Sequence, residues 1–304
     1  MDPGFQHSEP EKIMATDIYQ AVTDKIIAQL EAGTAPWMKP WTNGATCWEL
    51  PRNAISGKYY RGANTFLLEA PAGATGNTWM TFKQAKDLGA NVRKGEKGQM
   101  IVFFKPWTIE EVNATGAAEK TIPILRSFTV FHTSQIDRLP AKYLPATVEA
   151  LPEVERIGRA DKMLSQATIV HGGNQAFYRP LTDTITLPAP EQFKTAGDYY
   201  ATALHELTHW TGAKARCDRD ITGRFGDTAY AREELVAEMG AAFLLNHAQI
   251  EGEMQHAAYL AAWLGVLQSD KRAVINAASA AQKAADFILQ GSAADVEETS
   301  EKVL

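Results

Sequence analysis

The sequence predicts an α+β protein: a mixed α/β N-terminal part, then a mainly helical C-terminal part carrying a small antiparallel sheet. Three observations predict it. Strand-like runs, GQMIVFFKPW and ILRSFTVFHT, sit among short helical segments in the first half. A Leu/Pro/Ala-rich stretch, DRLPAKYLPATVEALP, interrupts the chain near its middle. Beyond Thr195 the helical periodicity continues almost to the C-terminus. A chain of 304 residues holds two cores more comfortably than one. The expected division is therefore a domain over 14–140, a linker over 141–152, a second domain over 153–291 and a flexible acidic tail over 292–304.

The elements follow in order. Residues 1–13 are polar, lack the apolar core of a secretory signal and carry no weight in the fold prediction. Between Thr16 and Glu31, Ile18, Val22, Ile26, Ile27 and Leu30 define one helical face, and Gly33 ends it. A Pro/Trp-rich loop, APWMKPW, leads on to short helices at Ala63–Glu69 and Thr81–Leu88. The two strand-like runs follow as an antiparallel pair, joined by an exposed connection, TIEEVNATGAAEK. Past the linker come a helix over Glu153–Gln166 and three short strands in ATIVHG, AFYRP and DTITLP. Helices are expected at Ala196–Thr211, with Thr195 as N-cap, and at Thr228–Asn246, Gln255–Leu267 and Ser269–Leu289.

Composition excludes several classes. An apolar fraction of 45% and a charged fraction of 22% belong to an ordinary globular protein. Two cysteines, Cys47 and Cys217, exclude a disulfide framework and a thiolate zinc cluster, and favour a reducing compartment. No apolar run is long enough to span a membrane, so a soluble, cytoplasmic protein is expected. The net charge of −6 conceals segregation: Arg52 to Lys105 holds nine basic residues against three acids.

The sharpest motif is HELTH. On a helix His205 and His209, four residues apart, share one face, so both imidazoles can reach one ion. Glu206 lies ~100° round the helix, placed as the general base of metal-assisted hydrolysis rather than as a ligand. A catalytic zinc needs a third protein ligand. The helix containing AREELVAEMGAAFLLN offers Glu233, Glu234 and Glu238. Glu234 is assigned as the ligand. Glu238, one turn on, is assigned to orient a ligand imidazole through its Nδ1–H; the reversed roles of these two acids are the alternative. Glu233 is expected to be exposed and paired with Arg232 or another cation.

These runs (HELTHWTG, YAREELVAEMGAAFL, AAYLAAWLGVL and AASAAQKAADFIL) resemble the C-terminal zincin-like domain of the plasmid antirestriction ArdC family. ELVAE is also similar to the E-x-x-x-D of thermolysin-like, gluzincin-type peptidases, whose first acid binds zinc. The resemblance covers about Ala15 to Gln290. It implies a zinc-dependent metallopeptidase domain, with Mn2+ as an alternative ion, joined to an N-terminal single-stranded-DNA-binding domain. It also implies protection of incoming plasmid DNA from host restriction during conjugation. An unknown protein substrate, a host restriction component among the options, belongs to the same expectation.

The N-terminal half supplies an inventory for nucleic acid. Trp37, Trp41, Trp48, Trp79 and Trp107 are interleaved with cations, and single strands are held by aromatic platforms in a basic groove. The competing reading is a small aromatic core with a solvated basic face. The favoured contact residues are Arg52, Tyr59, Tyr60, Arg61, Lys83, Lys86, Arg93, Lys94 and Lys97, the last three in the loop NVRKGEKG. The alternative function is a non-catalytic protein that coats single-stranded DNA and uses its metal structurally. An edge strand beside the metal, in AFYRP or DTITLP, would hold an extended peptide.

Overall fold

The computed structural model describes residues 17–33, 35–37, 50–113, 116–144, 151–223, 227–252 and 260–301. Trp41, Trp48, part of the 141–152 linker and the first residues of the expected Gln255 helix lie outside them.

Helix α1 (Ile18–Glu31) begins where the Asp17 carboxylate accepts from the Tyr19 and Gln20 amides, and it buries Val22, Ile26 and Leu30. Helix α2 (Ala63–Leu67) is wholly buried, and α3 (Phe82–Asp87) opens with a capping box between Thr81 and Gln84. Strands β1 (Arg52–Asn53), β2 (Thr78–Thr81), β4 (Gln99–Asn113) and β5 (Gly116–His132) form one sheet in the order β1-β2-β5-β4. Strands β3 (Asn91–Val92) and β6 (Ile136–Asp137) make a separate antiparallel pair. The connection expected over residues 108–120 is instead the outer part of a long hairpin, in register from Gln99↔Val130 to Asn113↔Gly116.

In the second half, α4 (Glu153–Leu164) precedes β7 (Thr168–His171), β8 (Phe177–Arg179) and β9 (Thr184–Leu187). Their sheet has the order β7-β9-β8 and is mixed rather than antiparallel throughout: β7 runs parallel to β9, and β8 antiparallel to it. The DTITLP strand is therefore central, and β8 is an edge. Helices α5 (Ala196–Trp210), α6 (Thr228–Ala248), α7 (Leu260–Ser269) and α8 (Ala273–Glu301) follow. Helix α8 runs through the segment expected to fray, since no proline or further glycine interrupts it after Gly291.

One core joins the two halves. Val22, Ile26, Trp37 and Phe66 pack in the same cluster as Phe243, Trp263 and Ala278. The rings of Phe66 and Phe243 stack 5.0 Å apart, and Trp37 meets Trp263 edge-on at 5.6 Å. Among the described residues no helix is long and apolar enough to cross a membrane.

Candidate metal centre

Helices α5 and α6 build the site between them. Their approach is set by Gly240, where a Cβ would stand 2.5 Å from the Thr208 side chain. Helix α6 is buried nearly all round, Glu233, Glu234 and Glu238 included. A carboxylate in such a place needs a partner, and each of the three faces an imidazole of α5.

His205 Nε2 and His209 Nε2 lie 3.1 Å apart. Glu234 places one carboxylate oxygen 3.5 Å from His205 Nε2 and the other 3.5 Å from His209 Nε2. Two nitrogens held ~2.05 Å from a tetrahedral ion would stand ~3.3 Å apart. The donors thus already have the spacing that a four-coordinate ion requires. A borderline ion such as zinc suits their chemistry, two imidazoles and one carboxylate.

Behind the donors each imidazole has its own acid. Glu238 Oε1 lies 3.4 Å from His205 Nδ1. Glu233 Oε1 lies 3.2 Å from His209 Nδ1 and is held by Arg219, whose Nε and Nη2 donate to its two oxygens at 3.0 and 2.8 Å. This corrects the exposure expected for Glu233, which is buried behind the site; the cation it pairs with is Arg219, while Arg232 pairs with Asp270. The surroundings concentrate negative charge. Burial opposes a charged imidazole, but Glu233 and Glu234 outweigh it and push His209 up to about 10. Burial likewise opposes charge on His205, yet Glu234 and Glu238 raise it. Burial would raise Glu234, but the two imidazoles hold its carboxyl far below the usual range.

The donors open into a cleft of about 220 Å³, lined also by Glu206 from α5, Tyr230 from α6, and Phe177 and Tyr178 from the edge strand β8. Glu206 is buried, although it faces this cleft. Tyr178 donates to Asp183 at 2.8 Å and accepts from Arg216 at 3.1 Å. Burial and the Asp183 carboxylate push its phenol up to about 12, so it remains a donor already committed to Asp183.

A zincin-like metallopeptidase family model matches residues 158–280, and a model of the N-terminal domain of anti-restriction factor ArdC matches residues 16–131. Crystal structures of antirestriction protein ArdC from plasmid R388, metal-free and Mn(II)-bound, are 41% and 40% identical to this chain. Both align with a TM-score of 0.74 over 91% of this chain and 98% of theirs. The chain belongs to the ArdC antirestriction family. A second full-length relative, the uncharacterized protein y4eC of Sinorhizobium fredii, is 41% identical over 285 residues, 90% of this chain and 92% of that one. DNA primase TraC of Escherichia coli is 42% identical over 300 residues, but this chain spans only 20% of that longer protein.

The residues favoured for nucleic acid differ in exposure and in partners. Tyr60 is buried in a core with Trp79 and receives a hydrogen bond from Asn53 at 3.3 Å, which removes it as a stacking platform. Trp37 and Trp79 are likewise core residues. Arg61 is paired with Asp286, Lys83 with Asp87 at 3.0 Å, and Arg93 with Glu96 and Asp137 at 2.7 and 3.4 Å. Arg52 is half-buried in β1. Tyr59, Lys86, Lys94 and Lys97 are exposed. The open aromatics lie elsewhere, at Phe82, Phe103, Phe104, Trp107 and Phe128. Only Trp107 belonged to the aromatic inventory drawn from sequence. The signal for Phe103 and Phe128 was the alternation within VFFKPW and RSF, which sets aromatic and basic residues two apart on a strand.

Proposed function

We propose that this protein is a zinc-dependent metallopeptidase, tolerant of Mn2+, that is carried on single-stranded DNA and protects incoming plasmid DNA from host restriction during conjugation. The observation that carries the peptidase reading is the convergence of His205, His209 and Glu234 in a cleft that also contains Glu206. These three residues would hold the ion, which when bound supplies Lewis acidity towards a carbonyl and makes water a nucleophile near neutral pH. Glu206 takes the proton of the attacking water and returns it to the leaving nitrogen. The edge strand β8 offers backbone hydrogen bonds to an extended peptide beside Glu206. The Mn(II)-bound ArdC crystal form is the support for manganese as an alternative ion.

A purely structural metal needs ligands but no base, so a buried acid facing the cleft at Glu206 favours catalysis. Glu206→Gln is the test. The variant should keep its metal stoichiometry and its affinity for single-stranded DNA while losing both substrate cleavage in a proteomic comparison of cells and protection of incoming DNA. Intact protection in Glu206→Gln would leave the metal with a structural role and reduce the protein to a coat on DNA.

A further inference from the structure

The β4–β5 hairpin has two unlike faces. Its register sets Ile101 opposite Phe128, Phe103 opposite Arg126, Lys105 opposite Ile124 and Trp107 opposite Ile122. Side chains alternate along a strand, so all eight lie on one face. The other face carries Val102 and Leu125 into the main core. At its base the first face is closed, because Ile101 and Val130 pack with Tyr60, Leu68 and Trp79. Further out it is open: Phe103, Trp107 and Phe128 are 45%, 49% and 51% exposed. Phe103 and Phe128 meet edge-on, ring centroids 6.0 Å apart, with Lys105 and Arg126 exposed beside them.

An open cluster of large aromatics is costly in water and marks a surface that is covered in use. The kind of cover is set by what lies between the rings. Between Ile101 and Trp107, and between Ile122 and Phe128 opposite, the charges of this face are two cations, Lys105 and Arg126, and no acid, in a chain whose net charge is −6. Rings alternating with cations fit a polyanion that also presents flat faces. A single-stranded nucleic acid does so, whereas a duplex keeps its bases stacked inside. Phe103 and Trp107, four residues apart, are separated by ~13 Å along the strand, enough for successive bases to be engaged.

We propose that this face of the hairpin is the stacking surface for single-stranded DNA, with bases on Phe103, Phe128 and Trp107 and phosphates at Lys105 and Arg126. It rests on the single-stranded-DNA reading above and assigns the contact to residues outside the NVRKGEKG loop.

The test is fluorescence anisotropy of the full chain with a labelled oligo-dT of about 20 nucleotides, and with a duplex, across a salt series. Wild type should bind the single strand more tightly than the duplex. Phe103→Ala/Trp107→Ala/Phe128→Ala should weaken oligo-dT about tenfold or more with an unchanged Tm, since all three rings are exposed. Lys105→Ala/Arg126→Ala should flatten the salt slope by about 1.4, the value for two phosphates on a single strand. Lys94→Ala/Lys97→Ala should stay within about twofold of wild type. Wild-type affinity in the aromatic variant overturns the assignment of this face. If that variant instead abolishes self-association in sedimentation while oligo-dT binding is unchanged, the face is an interface between copies. A wild-type chain that does not bind oligo-dT at low salt overturns the single-stranded-DNA reading itself.

Discussion

Arg219 grips Glu233 with two hydrogen bonds, and Glu233 Oε1 in turn faces His209 Nδ1 at 3.2 Å. The same guanidinium donates to Thr211 Oγ1 at 2.8 Å and to the Thr208 carbonyl at 2.7 Å, so it is fixed to the end of α5. A carboxylate on Nδ1–H selects the tautomer whose Nε2 lone pair points at the ion. Arg219→Ala should therefore weaken metal binding about 10–100-fold, measured by competition with a chromophoric chelator. Oligo-dT affinity should not change. Arg219→Lys should recover only part of the loss, because an ammonium cannot hold both oxygens in the same fork.

Gly240 and Thr208 form the closest contact between the two helices of the site for which a side chain could be added. A Cβ at 240 would sit 2.5 Å from Thr208 Cγ2 and 2.9 Å from its Oγ1. Gly240→Ala gains up to ~1 kcal/mol in helix propensity but should lose ~1–3 kcal/mol to overpacking. It should also lower metal affinity by pushing Glu234 away from the histidines. Thr208→Ala made in the same chain vacates that space. A double-mutant cycle on urea unfolding should show the two changes partly cancelling, beyond ~0.5 kcal/mol of coupling.

The parts of the site that sequence made legible are those whose spacing lies within one helix. His205, His209 and Glu206 follow from helical geometry, and Glu234 and Glu238 share a face by the same rule. Glu233 and Arg219 were not legible, because their meaning depends on the tertiary packing of α5, α6 and the loop between them. Arg232 beside Glu233 suggested a surface ion pair, whereas α6 is buried nearly all round and Arg232 turns out to Asp270. In the N-terminal half, tryptophan count was a poor guide to the surface. Trp37 is buried in the core that the two halves share and Trp79 in the small cluster with Tyr60 and Ile101, while phenylalanines on the hairpin remain exposed.

Phe66 is expected to couple the two halves energetically. It comes from α2, on the N-terminal side of the 141–152 segment, and stacks on Phe243 of α6 at 5.0 Å and 14° between planes. Phe66→Ala should cost ~3–5 kcal/mol. The loss should appear as one shifted transition, with far-UV circular dichroism and tryptophan fluorescence coincident. Two separated transitions would mean that the halves fold independently of this contact. The same packing implies that a fragment over residues 14–140 exposes Trp37 and Phe66 and binds a hydrophobic dye.

His132 gives a pH dependence whose sign can be worked out. It is fully buried, its Nε2 donating to the Gly76 carbonyl at 3.0 Å and its Nδ1 accepting from the Ser134 amide at 3.1 Å. Burial depresses its pKa below the usual 6.5, and the Gly76 contact only partly opposes this. A second proton would set Nδ1–H against the Ser134 amide. The unfolded chain therefore binds more protons than the folded one below about 6.5, so stability is complete above that pH. It falls as pH drops towards the depressed folded value, by ~1.4 kcal/mol for each unit of depression. His132→Asn retains an acceptor for the Ser134 amide and removes the titration. Its unfolding free energy should start lower than that of wild type at pH 7.5 but decline less steeply between pH 6.5 and 5. Parallel slopes for the two proteins in urea unfolding would show that other groups carry the acid sensitivity of this region.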